Sequence, residues 1–432
     1  MTICVPLLLL TAFSVAAQES PPPQPGTPAS PKLAATSAEI QPLTLSEALS
    51  LAEQYSPQLK AAQAQIAGAA AGIQTASAYP NPAAVYLGGY QYARPRFGAI
   101  PGTTQHFGLS QPIDLPNRRQ ARIDAAKLSR RSTEFGLDET RLEVQTTVKQ
   151  NFYEVLRRKG EYQIAQDNLR LVEELRRRIQ VKVDVGESGK LELIRADAEL
   201  ATVRAGVKSS QLRLVTAISA LRAAIGVPLS KEIDVEGAID PHVQLPPLNE
   251  LRELVFARHP SLKRSGTDIE QARAELKSQR AQRVPEPSVE AEYEPQPDLR
   301  YFRVGLTIPL PIWNQRQGQI GQAQAAINRA TATNDIQRLQ LTNSLESAYG
   351  QYEVADQQVQ SFESGALREA NAAVTAAQAA YKSGERGIID VLDAQRVLRS
   401  VRLDYLNAQF DRQAALIELQ QLRAVDVKGN TP

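Results

Sequence analysis

Two sets of carboxylates stand at spacings that let them act together. Asp390 and Asp393 are three residues apart, which puts them on one face of a helix. Glu290, Glu292 and Glu294 alternate with Val289, Ala291 and Tyr293, so in a strand the three acids share a face. Grouped like charges attract counter-ions, and the chemistry on offer is the guidance of cations rather than bond-making. The same spacings also describe a solvated helix and the polar face of a surface strand. His106, His242 and His259 are far apart in sequence and read as ordinary residues, and Cys4 is the sole cysteine, so no metal cluster or cofactor is expected. No nucleophile with a base and orienter, and no Gly-rich phosphate loop, accompanies them, so no enzyme is expected. With 49 Lys+Arg against 47 Asp+Glu, the net charge of +2 gives no field for nucleic-acid capture.

The elements that carry these residues are long and repeated. Residues 5–17 form an apolar run too short to span a bilayer and ending in small side chains, which predicts a signal peptide over 1–17. Cys4 precedes that run and is not placed for a lipid anchor. Seven prolines in 18–42 predict a disordered leader. The rest repeats itself about 200 positions on. Leu45, Glu47, Pro57 and Leu59 recur as Leu248, Glu250, Pro260 and Leu262; Gly108, Leu109, Pro112 and Asn117 recur as Gly305, Leu306, Pro309 and Asn314. Gly186, Glu187, Gly189 and Leu200 recur as Gly384, Glu385, Gly387 and Leu398. The first copy spans 43–230, a linker 231–247 follows, the second copy spans 248–425, and 426–432 is a tail.

Each copy predicts the same order. A helix of about 35 residues (45–78, then 248–283) enters at Ser46 or Asn249 and closes at Pro80 or Pro285. A β-hairpin follows (83–112, then 288–310). A proline-free stretch comes next, interrupted only by a Gly-x-x-Gly turn at 186–189 or 384–387, where Gly suits a helix end. In the first copy this leaves helices near 68 and 36 residues, the longer spanning roughly 100 Å at 1.5 Å per residue. Leu193, Leu200, Val207, Leu214 and Leu221 recur every seven residues as a coiled-coil seam. In the second copy the seam reads Val391, Leu398, Tyr405, Arg412 and Leu419, and Arg412 breaks it. In 299–310, Phe302, Val304, Leu306 and Ile308 share one face. Ten-residue strands with one apolar face suit a bilayer-spanning barrel, but four cannot close one; three chains would supply twelve. Trp313, just past the strand exit, reads equally as an interfacial anchor or as packing at the barrel base.

The strand exits LSQPIDLPNRRQARI (109–123) and LTIPLPIWNQRQGQI (306–320), with the turn YKSGERGIIDVLDAQ (381–395), resemble the TolC-like outer-membrane factor family, most closely its heavy-metal and cation efflux branch. The resemblance covers about residues 43–425 and implies an α+β membrane protein of the Gram-negative outer membrane reaching into the periplasm. It implies a homotrimer in which duplicated units of long coiled-coil helices and two β-hairpins form a twelve-strand barrel and a periplasmic tunnel of twelve helical rods. It implies a passive channel docked to a periplasmic adaptor and an inner-membrane, proton-driven transporter, exporting cations or drugs. Gly186, Glu187, Gly189, Gly384, Glu385 and Gly387 fall at the adaptor-contacting tips. Tyr381 and Arg386 fall where the family latches neighbouring helices, and Asp390 and Asp393 where it forms acidic rings. Glu192 and Arg195 of the first copy depart from that pattern. Glu290, Glu292 and Glu294 are candidates for the lumen lining. Family members often carry a lipidated cysteine that this chain lacks. An ATP-driven secretion channel, a periplasmic adaptor and a coiled-coil scaffold are the competing readings; the full duplication argues against the adaptor, and the signal with alternating hairpins against the scaffold.

Overall fold

The computed structural model describes residues 42–92, 100–226, 233–239 and 242–424. The expected signal peptide, nearly all of the leader, the 93–99 segment of the first hairpin and the 426–432 tail lie outside the described residues. The chain order is β1 (Pro42–Leu43), α1 (Leu45–Tyr55), α2 (Pro57–Ser77), β2 (Ala83–Gln91), β3 (Gly102–Pro112), α3 (Pro116–Asp184) and α4 (Lys190–Ile225). The second half runs β4 (Asp234–Val235), α5 (Leu248–Arg258), α6 (Pro260–Ala281), β5 (Ser288–Pro295), β6 (Arg300–Thr307), α7 (Gln317–Ser361), α8 (Leu367–Lys382) and α9 (Ile388–Leu422).

The first helix of each copy is two helices. Pro57 and Pro260 have no N–H to donate and each occupies the first turn of a new helix, so the chain bends at Ser56 and His259. Entry also moves outward from Ser46. Thr44 caps α1, its hydroxyl accepting from the Glu47 N–H while the Glu47 carboxylate accepts from the Thr44 N–H, a reciprocal capping box. In the second copy Pro247, not Asn249, precedes the helix. Pro42 and Leu43 leave the leader to pair in parallel with Asp234 and Val235. The proline-free stretch of the second copy is further interrupted by a single π-helical turn, Phe362–Ala366, between α7 and α8. Its first-copy counterpart, α3, runs unbroken for 69 residues.

Packing follows the heptads. Leu200 and Leu221, with Ala196, Val203 and Ala217, are buried along α4. Arg412 is buried too, at 7% exposure, and its guanidinium donates to the Asp356 carboxylate of α7 at 3.1 Å. Two larger apolar clusters sit where the linker segments cross the helices: Phe152, Leu221, Ile225 and Val235 in one, Leu251, Leu345, Tyr352 and Leu419 in the other.

The four long strands form one antiparallel sheet ordered β2-β3-β5-β6. Register aligns Tyr86, Phe107, Tyr293 and Phe302 in one row across it, and Ala84, Leu109, Ala291 and Val304 in another. Tyr86, Phe107, Leu109, Phe302, Val304 and Leu306 are all exposed. β6 ends at Thr307 rather than reaching 310. All four strands meet helices at the same end of the sheet.

Candidate functional site: the helical tips and the strand face

Each long helix ends by the same backbone device. At the first tip, Gly186 takes φ +81°, the Glu187 N–H donates to the Lys182 carbonyl at 2.8 Å, and the Gly186 N–H donates to Val183. At the second, Gly384 takes φ +80°, Glu385 donates to Ala380 at 3.0 Å, and Gly384 to Tyr381. Both are Schellman closures, for which a residue without Cβ is the favoured choice. Gly189 and Gly387 are extended and precede α4 and α9. Glu187 and Glu385 are exposed at the turns.

Between the tips, Leu175, Ile179 and Ala196 of the first pair pack on Ile388, Val391 and Leu392 of the second. Tyr381 lies across this seam. The Lys182 ammonium stands 4.5 Å from its ring centre, and its hydroxyl is set beside Ser188 and Glu192. Burial first, and then the Glu192 carboxylate, push the Tyr381 phenol above its ordinary value. Glu192 is itself half buried, its Oε2 without a hydrogen-bond partner among the described residues. The Tyr381 ring therefore packs where the two helical pairs of a single chain meet, its buried hydroxyl without a hydrogen-bond partner among the described residues. Arg386 is exposed, with no side-chain partner among the described residues.

The two aspartates differ. Asp390 is exposed on the first turn of α9 with no ion pair among the described residues. Asp393 accepts from Arg396 at 3.2 Å, and Arg396 also reaches Glu199 of α4 at 2.5 Å. One cation thus holds two carboxylates of different helices.

On the sheet, Glu290, Glu292 and Glu294 occupy the face opposite the aromatic row. They are not a bare acidic strip. Arg303 of β6 pairs with Glu292 at 2.9 Å and Glu294 at 3.2 Å, and the His106 Nδ1 lies 3.8 Å from Glu294. Glu290 has no ion pair among the described residues. Trp313 is 88% exposed in the single chain. His242 is not a bystander: its Nδ1 meets Asp356 at 2.8 Å, opposite Arg412. Burial alone would raise the Asp356 carboxyl, but the His242 and Arg412 bonds outweigh it and hold the group below its usual range. Arg412 is visible in the sequence as a break in a heptad; its partner, 56 positions earlier, leaves no local signal. Among the described residues no group of His, Cys, Asp and Glu could hold a metal ion, and no helix is long and apolar enough to cross a membrane.

A twice-repeated set of long helices, each copy turning back at a Schellman-closed glycine tip and joined to a sheet with an exposed apolar face, fits a channel protein of the outer-membrane type. The chain belongs to the outer membrane efflux protein family, whose profile matches residues 48–227 and 251–424. It is similar to the cobalt-zinc-cadmium resistance protein CzcC of Cupriavidus metallidurans, 27% identical over 369 residues, which cover 84% of this chain and 86% of that protein. Among solved structures it resembles CusC, with a TM-score of 0.76 at 18% identity over 88% of this chain and 91% of that one. It also resembles the open state of the Neisseria gonorrhoeae outer-membrane channel MtrE, with a TM-score of 0.74 at 18% identity over 90% of each chain. The fold is that of these channels, and the protein is an outer-membrane efflux protein extending into the periplasm.

Proposed function

We propose that three copies assemble into a passive export conduit that carries cations out of the periplasm. The observation that carries this reading is the sheet: four strands, one apolar exposed face, and two outer strands, β2 and β6, with no partner along one side among the described residues. Unpaired backbone groups cost several kcal/mol each in hydrocarbon, so the edges must meet other copies, and three sheets of four strands close a barrel of twelve. The helices beneath then ring a tunnel. Glu290, Glu292 and Glu294 face its lumen, with Arg303 setting how much of their charge is free.

The tips form the gate. Tyr381 holds the two pairs of one chain together, and the free guanidinium of Arg386 reaches the neighbouring chain. Asp390 contributes the ring of carboxylates at the constriction, with Asp393 a weaker contributor because Arg396 already neutralises it. The exposed turns at Gly186, Glu187, Gly189, Gly384, Glu385 and Gly387 dock a periplasmic adaptor, and an inner-membrane, proton-driven transporter supplies the work. The similarity to CzcC supports metal cations as cargo. The chain performs no bond chemistry in this reading. Chemical crosslinking in mild detergent tests it: trimers in the outer-membrane fraction are expected, and monomers alone would refute the assembly.

A further inference from the structure

We propose that the cavity at the strand exits binds the phosphate headgroup of an anionic phospholipid, in the leaflet that meets the helical end of the sheet. This rests on the reading of the sheet as membrane-spanning. The cavity measures about 600 Å³ and lies between the first turns of α3 and the last turns of α6. Asn117 and Arg118 line one side, and Lys277, Arg280 and Val284 the other.

Its charge is unbalanced toward the positive. Arg118 pairs with Glu286 at 3.1 Å, yet its Nε is buried without an acceptor among the described residues. Lys277 comes only to 3.7 Å of Asp124 and is 69% exposed. Arg280 has no side-chain partner among the described residues. Three cations therefore face two carboxylates, at the positive end of the α3 dipole. A phosphodiester oxygen supplies acceptors for the exposed Lys277 and Arg280, the Arg118 Nε being closed off from the cavity.

The level of the cavity points to lipid rather than to a free anion. The segment after β6 leaves Leu310, Ile312 and Trp313 exposed, so that large exposed apolar side chains follow Val304 and Leu306 in sequence almost to the start of α7. Just beyond Asn314, Gln315 accepts from Arg283, two residues past α6, and Arg316 donates to Gln279 of α6. The apolar layer thus ends at the height of the cavity, where acyl chains give way to headgroups and an exposed tryptophan is at home.

Native mass spectrometry and thermal melting of the full-length trimer in mild detergent test the site. Phosphatidylglycerol should be retained and raise the melting temperature, whereas phosphatidylcholine and inorganic phosphate should not. Lys277→Gln with Arg280→Gln, both at the surface, should weaken phosphatidylglycerol retention severalfold, with trimer mass and lipid-free melting unchanged. The charge-keeping pair Lys277→Arg with Arg280→Lys should retain it. Equal binding of the two lipids, or wild-type retention by the Gln pair, would overturn the proposal. Stabilisation by inorganic phosphate alone would make the cavity an anion pocket and overturn it as well. Liposome insertion separates the two levels. A chain that fails to insert contradicts the membrane-spanning sheet, while insertion without lipid preference contradicts only this site.

Discussion

The two copies of the repeat share a backbone and divide the chemistry. Glu192 in α4 and Asp390 in α9 occupy equivalent places on the first turn after a glycine tip. Glu192 turns inward to Tyr381, whereas Asp390 stays exposed and unpaired among the described residues. Leu214 and Arg412 occupy equivalent seam positions; the first is an ordinary apolar seam residue, the second a buried cation bound to Asp356. Ser56 and His259 both stand at the bend before a proline. The helix after the strands is unbroken in the first copy and carries a π turn in the second. Duplication supplies a scaffold of matched lengths, and divergence then loads ionisable groups onto the second copy.

The largest effect that separates the copies should come from the buried ion pair. Asp356→Ala leaves a buried guanidinium without its carboxylate and should cost roughly 3 kcal/mol in denaturant unfolding. Adding Arg412→Leu, which makes the second seam resemble the first, should recover most of that loss. A double variant no more stable than the single one would show that the seams are not interchangeable.

In the paired seams themselves the copies should behave alike. Leu200 is 8% exposed among Val172 and Val203, and Leu398 is 7% exposed among Ala370 and Val374. Leu200→Asp and Leu398→Asp should each cost several kcal/mol by burying a charge without a partner. A large loss at one position and none at the other, by thermal melting, would break the equivalence.

Smaller effects concern the bends and the turns. Burial depresses the His259 imidazole below its ordinary value, the nearby Glu139 only partly opposing it. The folded state thus favours neutral His259, so its stability is full above the unfolded pKa near 6.5 and falls as pH drops below that value. His259→Gln should flatten melting temperature between pH 7 and pH 5, and Ser56→Ala should not change that slope. Gly384→Ala, at φ +80°, should cost about 1 kcal/mol, whereas Gly387→Ala, at φ −78°, should cost a fraction of that.

Local patterns made much of this legible. Alternating residues in 299–310 and 288–294 mark the strands, found at Arg300–Thr307 and Ser288–Pro295, and the heptads mark which side of α4 is buried, because both periodicities follow from backbone geometry. The glycine tips were legible for the same reason. What stayed hidden depends on contacts made by distant residues. Arg303 neutralises Glu292 and Glu294 only because β6 pairs with β5, and Arg396 reaches Glu199 across about 200 positions. Pro57 and Pro260 were visible as residues, but a proline at a helix start leaves little in the apolar pattern to show a bend. The π turn at Phe362–Ala366, where Tyr405 donates to Glu363 at 2.9 Å, has no distinct periodicity over five residues.

If the second-copy tip closes a cation-conducting tunnel, single-channel recording in planar bilayers shows it most directly. Tyr381→Phe with Arg386→Ser removes a hydroxyl and a guanidinium while keeping the apolar packing of Ile388, Val391 and Leu392. Conductance should rise severalfold with cation preference unchanged. Asp390→Ala should instead lower cation preference and divalent block, and Asp393→Ala should do so less, because Arg396 already holds that carboxylate. Unchanged conductance in the first variant, with reversal potentials untouched in both aspartate variants, would contradict a gate at these tips.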